Sequence, residues 1–277
     1  MTMLVHGVNV VLTPLFELLV WPFRALPPVW ALTIVSLVSG IALVWLFGKT
    51  SDQKRIHLVR DRIRGNLIGV RLFQHDIGVV LSLQGRIFGD TFRFMRLALV
   101  PLAIMMVPVV LVMTQLNLRF AVRPLEPGEP AVVTAHLRDA AALDGPLALE
   151  VPDGVTLETP PVRSRRDRGV AWRLRVDQPG EHTLVVRVGD ETLEKRLVGG
   201  TRWGQVVQRR SGRGALDTLL YPGEPPIAAD HVVETVEIAY PGLEMRLLGV
   251  GVDWLIGFFV LSMAFGFAFK GVLGVEV

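Results

Sequence analysis

Three long runs of apolar residues stand out along the chain, and only the third contains a charge, Asp253 near its start. Val29–Phe47 holds 19 residues with no charge, Leu97–Leu116 is a second run, and Leu248–Phe269 is a third. About 20 apolar residues suffice to cross a hydrocarbon core of about 30 Å. The pattern therefore predicts transmembrane helices over residues 29–48, 96–118 and 248–270.

The first 28 residues are apolar but carry a regular polar stripe. His6, Asn9, Thr13 and Glu17 follow one another at steps of three, four and four residues. This spacing places them on one side of a helix and is typical of a segment that lies in the membrane interface. We expect an interfacial amphipathic helix within residues 1–28, and the alternative is that residues 1–23 span the membrane.

The segment 49–95 between the first two runs has helical periodicity and many charges. Apolar residues recur at steps of three, four and seven between Ile56 and Val70, and Ser51 and Asp52 can cap the helix start. The segment predicts a helical hairpin with helices over roughly 52–74 and 78–95.

The charges predict an orientation for these segments. Segment 49–96 holds ten basic and four acidic residues, whereas 119–247 holds 17 basic and 19 acidic residues. The positive-inside rule then places the hairpin in the cytoplasm, 119–247 outside and the tail 271–277 inside.

Segment 119–247 changes to short alternating runs of apolar and polar residues. Turn pairs such as Asp153-Gly154 and Pro179-Gly180 separate several of these runs. Six or seven strands at 8–12-residue spacing predict an antiparallel, immunoglobulin-like β-sandwich, with Trp172 in its core. We expect residues 124–200 to form the folded module, with one further strand at 233–240. The predicted strands are Ala131–Leu137, Leu147–Val151, Val155–Thr159, Val170–Val176, His182–Val188 and Thr192–Val198.

Composition excludes several classes of protein. The chain is 51% hydrophobic and 20% charged, which disfavours a wholly soluble protein, and its net charge of +3 is too small to favour a nucleic-acid partner. It has no cysteine, so disulfides and thiolate metal sites are excluded. The six histidines lack metal-ligand spacing, and no nucleophile or phosphate-loop motif occurs. We expect no catalytic residue, no metal site and no cofactor, and therefore no enzyme.

Polar residues within the apolar runs are the candidates for a functional groove. Lipid-facing polar groups are costly, so these residues should face other helices or a wet cavity. One interpretation is a polar intramembrane groove, and the other is ordinary contact between helices. The candidate residues are Thr33, Ser36, Ser39, Thr114, Gln115 and Ser262.

Arginines of the hairpin are the candidates for contact with a client protein or with lipid headgroups. The alternative is that they serve only to set the topology. The candidate residues are Arg60, Arg64, Arg71, Arg93 and Arg96.

Several stretches carry a resemblance to a known family. Pro14–Leu19 followed by Pro28–Val35 resembles that family's helix-then-Trp entry to the first core span, and Gly48–Gln53 resembles its exit into a coiled-coil hairpin. Together with the order of the segments, this resembles the YidC/Oxa/Alb membrane-insertase superfamily, which includes the third subunit of the ER membrane protein complex. Arg71–Asp76 and Arg123–Glu129 resemble bacterial membrane proteins that carry an external β-domain.

The resemblance implies an insertase-like protein of the bacterial inner membrane, with its β-domain on the extracytoplasmic side. Such a protein assists the insertion or folding of nascent membrane-protein clients through an intramembrane groove, and its partners are those clients and membrane lipids. Many bacterial insertases carry an arginine in the first core span, whereas Ser36–Gly40 here has no charge. Arg93 and Arg96 are the nearest substitutes.

A second function remains open from the sequence. The spans could serve as anchors for a scaffold or assembly subunit of a membrane complex, whose external β-domain binds a protein partner through its sheet edges.

Overall fold

A computed structural model describes residues 2–212, 214–247 and 249–275. The chain divides into two compact units, each built from two parts of the sequence. We call Met1–Leu32 with Leu111–Trp254 the β unit, and Thr33–Val110 with Leu255–Val277 the helical unit.

The described residues form six α-helices and eleven strands. The helices are α1 Thr2–Val20, α2 Pro28–Thr50, α3 Gln53–Leu72, α4 Ile77–Phe120, α5 Ala215–Leu220 and α6 Trp254–Phe269. The strands are β1 Pro130–Leu137, β2 Leu147–Glu150, β3 Val155–Leu157, β4 Val162–Ser164, β5 Gly169–Val176, β6 Gly180–Val188, β7 Glu191–Gly199, β8 Arg209–Ser211, β9 Val233–Ile238, β10 Met245–Leu247 and β11 Val250–Val252.

Two helices in the described part of the chain, α2 and α4, are long and apolar enough to cross a membrane. The most apolar stretch of α4 is only 11% buried, and Leu99, Leu102 and Met106 on it are exposed. The core helix of a water-soluble domain would bury such a surface, because each large apolar side chain removed from water contributes about 1.5–3 kcal/mol. The helices therefore indicate association with a membrane.

The predicted hairpin has its turn where the sequence placed it, but its second helix does not end at residue 95. The Asp52 carboxylate accepts a hydrogen bond from the Arg55 amide at 3.1 Å and caps α3, and the Asp76 carboxylate accepts one from the Val79 amide at 3.1 Å and caps α4. From there α4 continues for 44 residues to Phe120. The change from charged to apolar side chains after Arg96 alters the surface and leaves the backbone helical.

The predicted third span is shorter than its apolar run. Helix α6 has 16 residues and a length of about 24 Å, less than a hydrocarbon core of about 30 Å. Before it, Val250–Val252 pairs with Met245–Leu247 as a two-stranded hairpin. Gly249 in its turn adopts the left-handed conformation, with φ of 85°, which favours glycine. Predicted residue Leu248, like Glu276 and Val277 of the predicted tail, lies outside the described residues.

The β unit contains two antiparallel sheets that share one hydrophobic core. In the described residues the larger sheet has the order β3-β5-β1-β9-β8, with β4 also paired to β5, and the smaller has the order β2-β6-β7. Trp172, 1% exposed, lies in the core as predicted, together with Val133 of its own sheet and Leu184 and Leu197 of the other. The six predicted strands and the later one are all present, whereas β4, β8, β10 and β11 were not predicted.

The module expected at 124–200 is incomplete. Strand β9 lies between β1 and β8 and pairs with β1 over Val133–Leu137. Its side chains Val233, Val236 and Ile238 are at most 1% exposed. The larger sheet is therefore completed by β9, a strand that follows position 200.

Candidate functional site

The helical unit contains a cavity of about 440 Å³ between α2, α4 and α6. This volume lies in the range of ligand pockets, about 300–1,000 Å³. Its wall is almost entirely apolar, and the Ser262 hydroxyl, which donates to the Phe259 carbonyl at 3.2 Å, is already satisfied within its own helix. The lining residues are Gly40, Leu43, Val44 and Phe47 of α2, Ala98, Leu102 and Met105 of α4, and Phe259, Ser262, Met263, Gly266 and Phe267 of α6.

Small residues bring α2 and α6 close together beside this cavity. A Cβ atom on Gly40 would lie 2.5 Å from the Ser262 carbonyl oxygen, and one on Gly266 would lie 3.0 Å from a methyl group of Val44. Close backbone approach at small residues is a common mode of helix packing in membranes. The glycines thus fix the two helices that form one wall of the cavity.

The structure does not bring the six predicted groove residues together around this cavity. Ser262 lines it, while Ser36 and Ser39 are buried and Thr33 is half-buried on α2, and none of these three is in the lining. Thr114 and Gln115 belong to the β unit, where both are buried. Apart from Ser262, the space that the helices enclose is therefore apolar rather than polar.

Gln115 instead takes part in a buried polar cluster that joins α1 to the end of α4. Arg119, 1% exposed, donates to the Gln115 side-chain oxygen at 2.9 Å and to the Thr13 carbonyl at 3.0 Å, and lies 3.4 Å from a Glu17 carboxylate oxygen. Glu17 also pairs with Arg24. Leaving a buried charge such as Arg119 without its partners is strongly destabilising, so this cluster fixes α1 in the β unit. Arg119 was not among the predicted site residues, although it is the first charge after 22 uncharged residues, 97–118.

The hairpin of α3 and the charged part of α4 contains two adjoining basic cavities, of about 560 Å³ and about 340 Å³. Arg62 and Arg93 line both of them. Of the predicted arginines, Arg93 and Arg96 line a cavity, whereas Arg60, Arg64 and Arg71 do not. Arg55, Arg62 and Arg86 line them and were not predicted.

The β unit buries one lysine in its core. Lys195 is fully buried, and its ammonium donates to the Glu224 carboxylate at 2.5 Å and to the Val207 carbonyl at 2.7 Å. Desolvation lowers the pKa of Lys195 to about 8, against the opposing effect of the Glu224 charge. Glu224 also accepts from the Arg196 amide at 2.7 Å. The pair ties the segment around Glu224 to β7.

The described residues contain no group of three or more histidine and carboxylate side chains that could hold a metal ion. Searches against models of protein families and against curated proteins gave no match.

Proposed function

We propose that this chain is an insertase-like integral membrane protein of the bacterial inner membrane, which assists the insertion or folding of membrane-protein clients. The observation that carries the proposal is the apolar cavity between α2, α4 and α6. A cavity among apolar helices offers the side chains of a client helix packing contacts that lipid tails provide less well. The resemblance to the YidC/Oxa/Alb superfamily supports the same function.

The proposed client contact is apolar, which differs from the polar groove expected from the sequence. Ser262 is the one predicted groove residue in the lining. In this form of the proposal, the cavity receives apolar side chains of the client, and passage of the client's polar flank depends on local thinning of the bilayer. Helix α6, at about 24 Å, favours thinning, because a short apolar helix draws the bilayer surfaces toward each other.

The proposed topology has three crossings, by α2, α4 and α6. The ten basic residues of 49–96 support a cytoplasmic hairpin, and the net negative segment 119–247 supports an extracytoplasmic β-domain. The two antiparallel sheets around Trp172 support an immunoglobulin-like sandwich for this domain.

A second candidate is a membrane-anchored scaffold whose external β-domain binds a protein partner. One observation favours it. Strands β3 and β4, which pair with β5 at the edge of the larger sheet, expose apolar side chains: Val162 is 62% exposed and Leu157 is 37% exposed. An extended partner segment could pair with such an edge. The strands there have only three residues each, which leaves few backbone groups for pairing.

Filling the cavity tests the insertase proposal. Ala98 lines the cavity on α4, and Val100, on the same helix, is 61% exposed and outside the lining. We expect Ala98→Trp to reduce insertion of a client reporter about tenfold in cells that lack their own copy, which corresponds to a lost contact of about 1.4 kcal/mol. Val100→Trp, the matched control, should insert the client as the wild type does. Equal activity of both variants would favour the scaffold.

A further inference from the structure

The two basic cavities of the hairpin form one cleft with a large excess of positive charge. Five arginines line it, and Asp90 is the one carboxylate among the described lining residues. Asp90 lies 4.0 Å from Arg93, at the limit of an ion pair. The lining arginines are Arg55, Arg62, Arg86, Arg93 and Arg96.

Among the residues that the structure describes, most of this charge has no counterion. Arg55 pairs with Asp52 at 3.0 Å. Within the described ranges, no carboxylate lies within 4 Å of the guanidinium groups of Arg62, Arg86 or Arg96. Like charges around one cleft repel each other, and an anion bound among them would remove that repulsion.

Two glycines leave the larger cavity open between the helices. Gly65 of α3 and Gly89 of α4 both line it, and a Cβ atom on either would meet nothing within 4 Å. A group bound there could approach the helix backbones without displacing a side chain.

The smaller cavity combines arginines with an apolar wall. Leu58, Val59 and Leu97 line it beside Arg93 and Arg96. Arg96 is the last charge of α4 before the uncharged stretch 97–118. The cleft therefore lies where the surface of α4 changes from basic to apolar, the depth at which a phospholipid places its phosphate above its acyl chains.

We propose that this cleft is a binding site for one anionic phospholipid, whose phosphate pairs with Arg62 and Arg93 and whose glycerol region lies against Leu58 and Leu97. Arginine pairs suit phosphate oxygens because the guanidinium donates two parallel hydrogen bonds. Basic pockets beside membrane-spanning helices commonly bind anionic headgroups. This site is separate from the client cavity, so it stands whether or not the proposed function does.

The test uses the full-length protein in detergent micelles that contain either phosphatidylglycerol or phosphatidylcholine, with native mass spectrometry counting the lipids retained. We expect one phosphatidylglycerol to be retained in preference to phosphatidylcholine. The double variant Arg62→Gln/Arg93→Gln should weaken this retention about 30-fold, since each basic contact near a membrane surface is worth about fivefold. Equal retention of the two lipids by the wild type would overturn the site.

Two further variants separate a built site from diffuse attraction. Arg64→Gln/Arg71→Gln removes the same charge from the same hairpin outside the lining, and we expect a loss of less than about threefold. Gly89→Leu removes no charge, and leucine has the higher helix propensity, so the variant should keep the helix intact. Because its side chain would fill the cleft, we expect it to weaken retention of the phosphatidylglycerol about tenfold. Equal losses in the two arginine pairs, or unchanged retention in Gly89→Leu, would overturn the proposal. So would full displacement of the lipid by millimolar inorganic phosphate, which would assign the cleft to free phosphate.

Discussion

The contribution of β9 leads to a sharp prediction about where the β-domain ends. A fragment of residues 124–200 keeps seven strands but lacks β8 and β9. It therefore loses Val233, Val236 and Ile238, which are at most 1% exposed. At about 1.5–3 kcal/mol for each buried side chain, the loss is about 5–9 kcal/mol. Because a domain's whole stability is about 5–15 kcal/mol, we expect the fragment to be unfolded.

The assay compares this fragment with a longer one, residues 121–247, which retains β9 and the bridge between Val122 and Gly242. Far-ultraviolet circular dichroism during urea titration should show a single cooperative transition for the longer fragment and none for the shorter one. Cooperative unfolding of both fragments at the same urea concentration would refute the role given to β9.

The remaining predictions concern a buried charge and a helix contact. The pKa of Lys195 is about 8 in the folded protein, below its usual 10.5. Between pH 8 and 10.5 the unfolded chain therefore binds more protons than the folded one, and the free energy of unfolding rises with pH, by up to about 3 kcal/mol for this group. Urea unfolding of fragment 121–247 from pH 7 to 10.5 should show this rise, and the Lys195→Met variant should lack it. An equal change of the free energy of unfolding with pH in both proteins would contradict the lowered pKa of Lys195. Gly40→Leu should destabilise the full-length protein in detergent by at least about 1–3 kcal/mol, because its Cβ meets the Ser262 carbonyl at 2.5 Å. Gly85→Leu, where a Cβ meets nothing within 4 Å, is the control, and an equal thermal shift in both would contradict the close contact.

The strands were predictable because each long strand alternates between a buried and an exposed side. The same alternation indicates that Lys195 is buried, because it occupies the core-facing position between Leu193 and Leu197 on β7. Strands β4, β8, β10 and β11 were not predicted, because each has three residues and too little alternation to detect. The central place of β9 was also hidden, since pairing between distant segments leaves no local pattern.

The helices show what hydropathy does and does not determine. It identified α2 and the apolar part of α4 as candidate spans. It overestimated α6, because Val250–Val252 is apolar enough to extend a span yet pairs as a strand. The polar residues of α2 were informative in a different way: Ser36 and Ser39 are small as well as polar, and both are buried on the helix that contacts α6 through Gly40. A small side chain favours close contact between helices, whereas a polar one favours a wet groove, and the sequence alone does not decide between these two environments for Ser36 and Ser39.

The most direct test of the proposed function is photo-crosslinking from inside the cavity during membrane-protein synthesis. Met105 lines the cavity, whereas its neighbour Met106 is 64% exposed and outside the lining. A photoreactive amino acid replaces one or the other in the full-length protein in living cells, and the adducts are identified. The proposal predicts adducts with nascent membrane proteins from position 105 and few or none from position 106. Adducts of equal yield at both positions, or none with nascent chains at position 105, would contradict it.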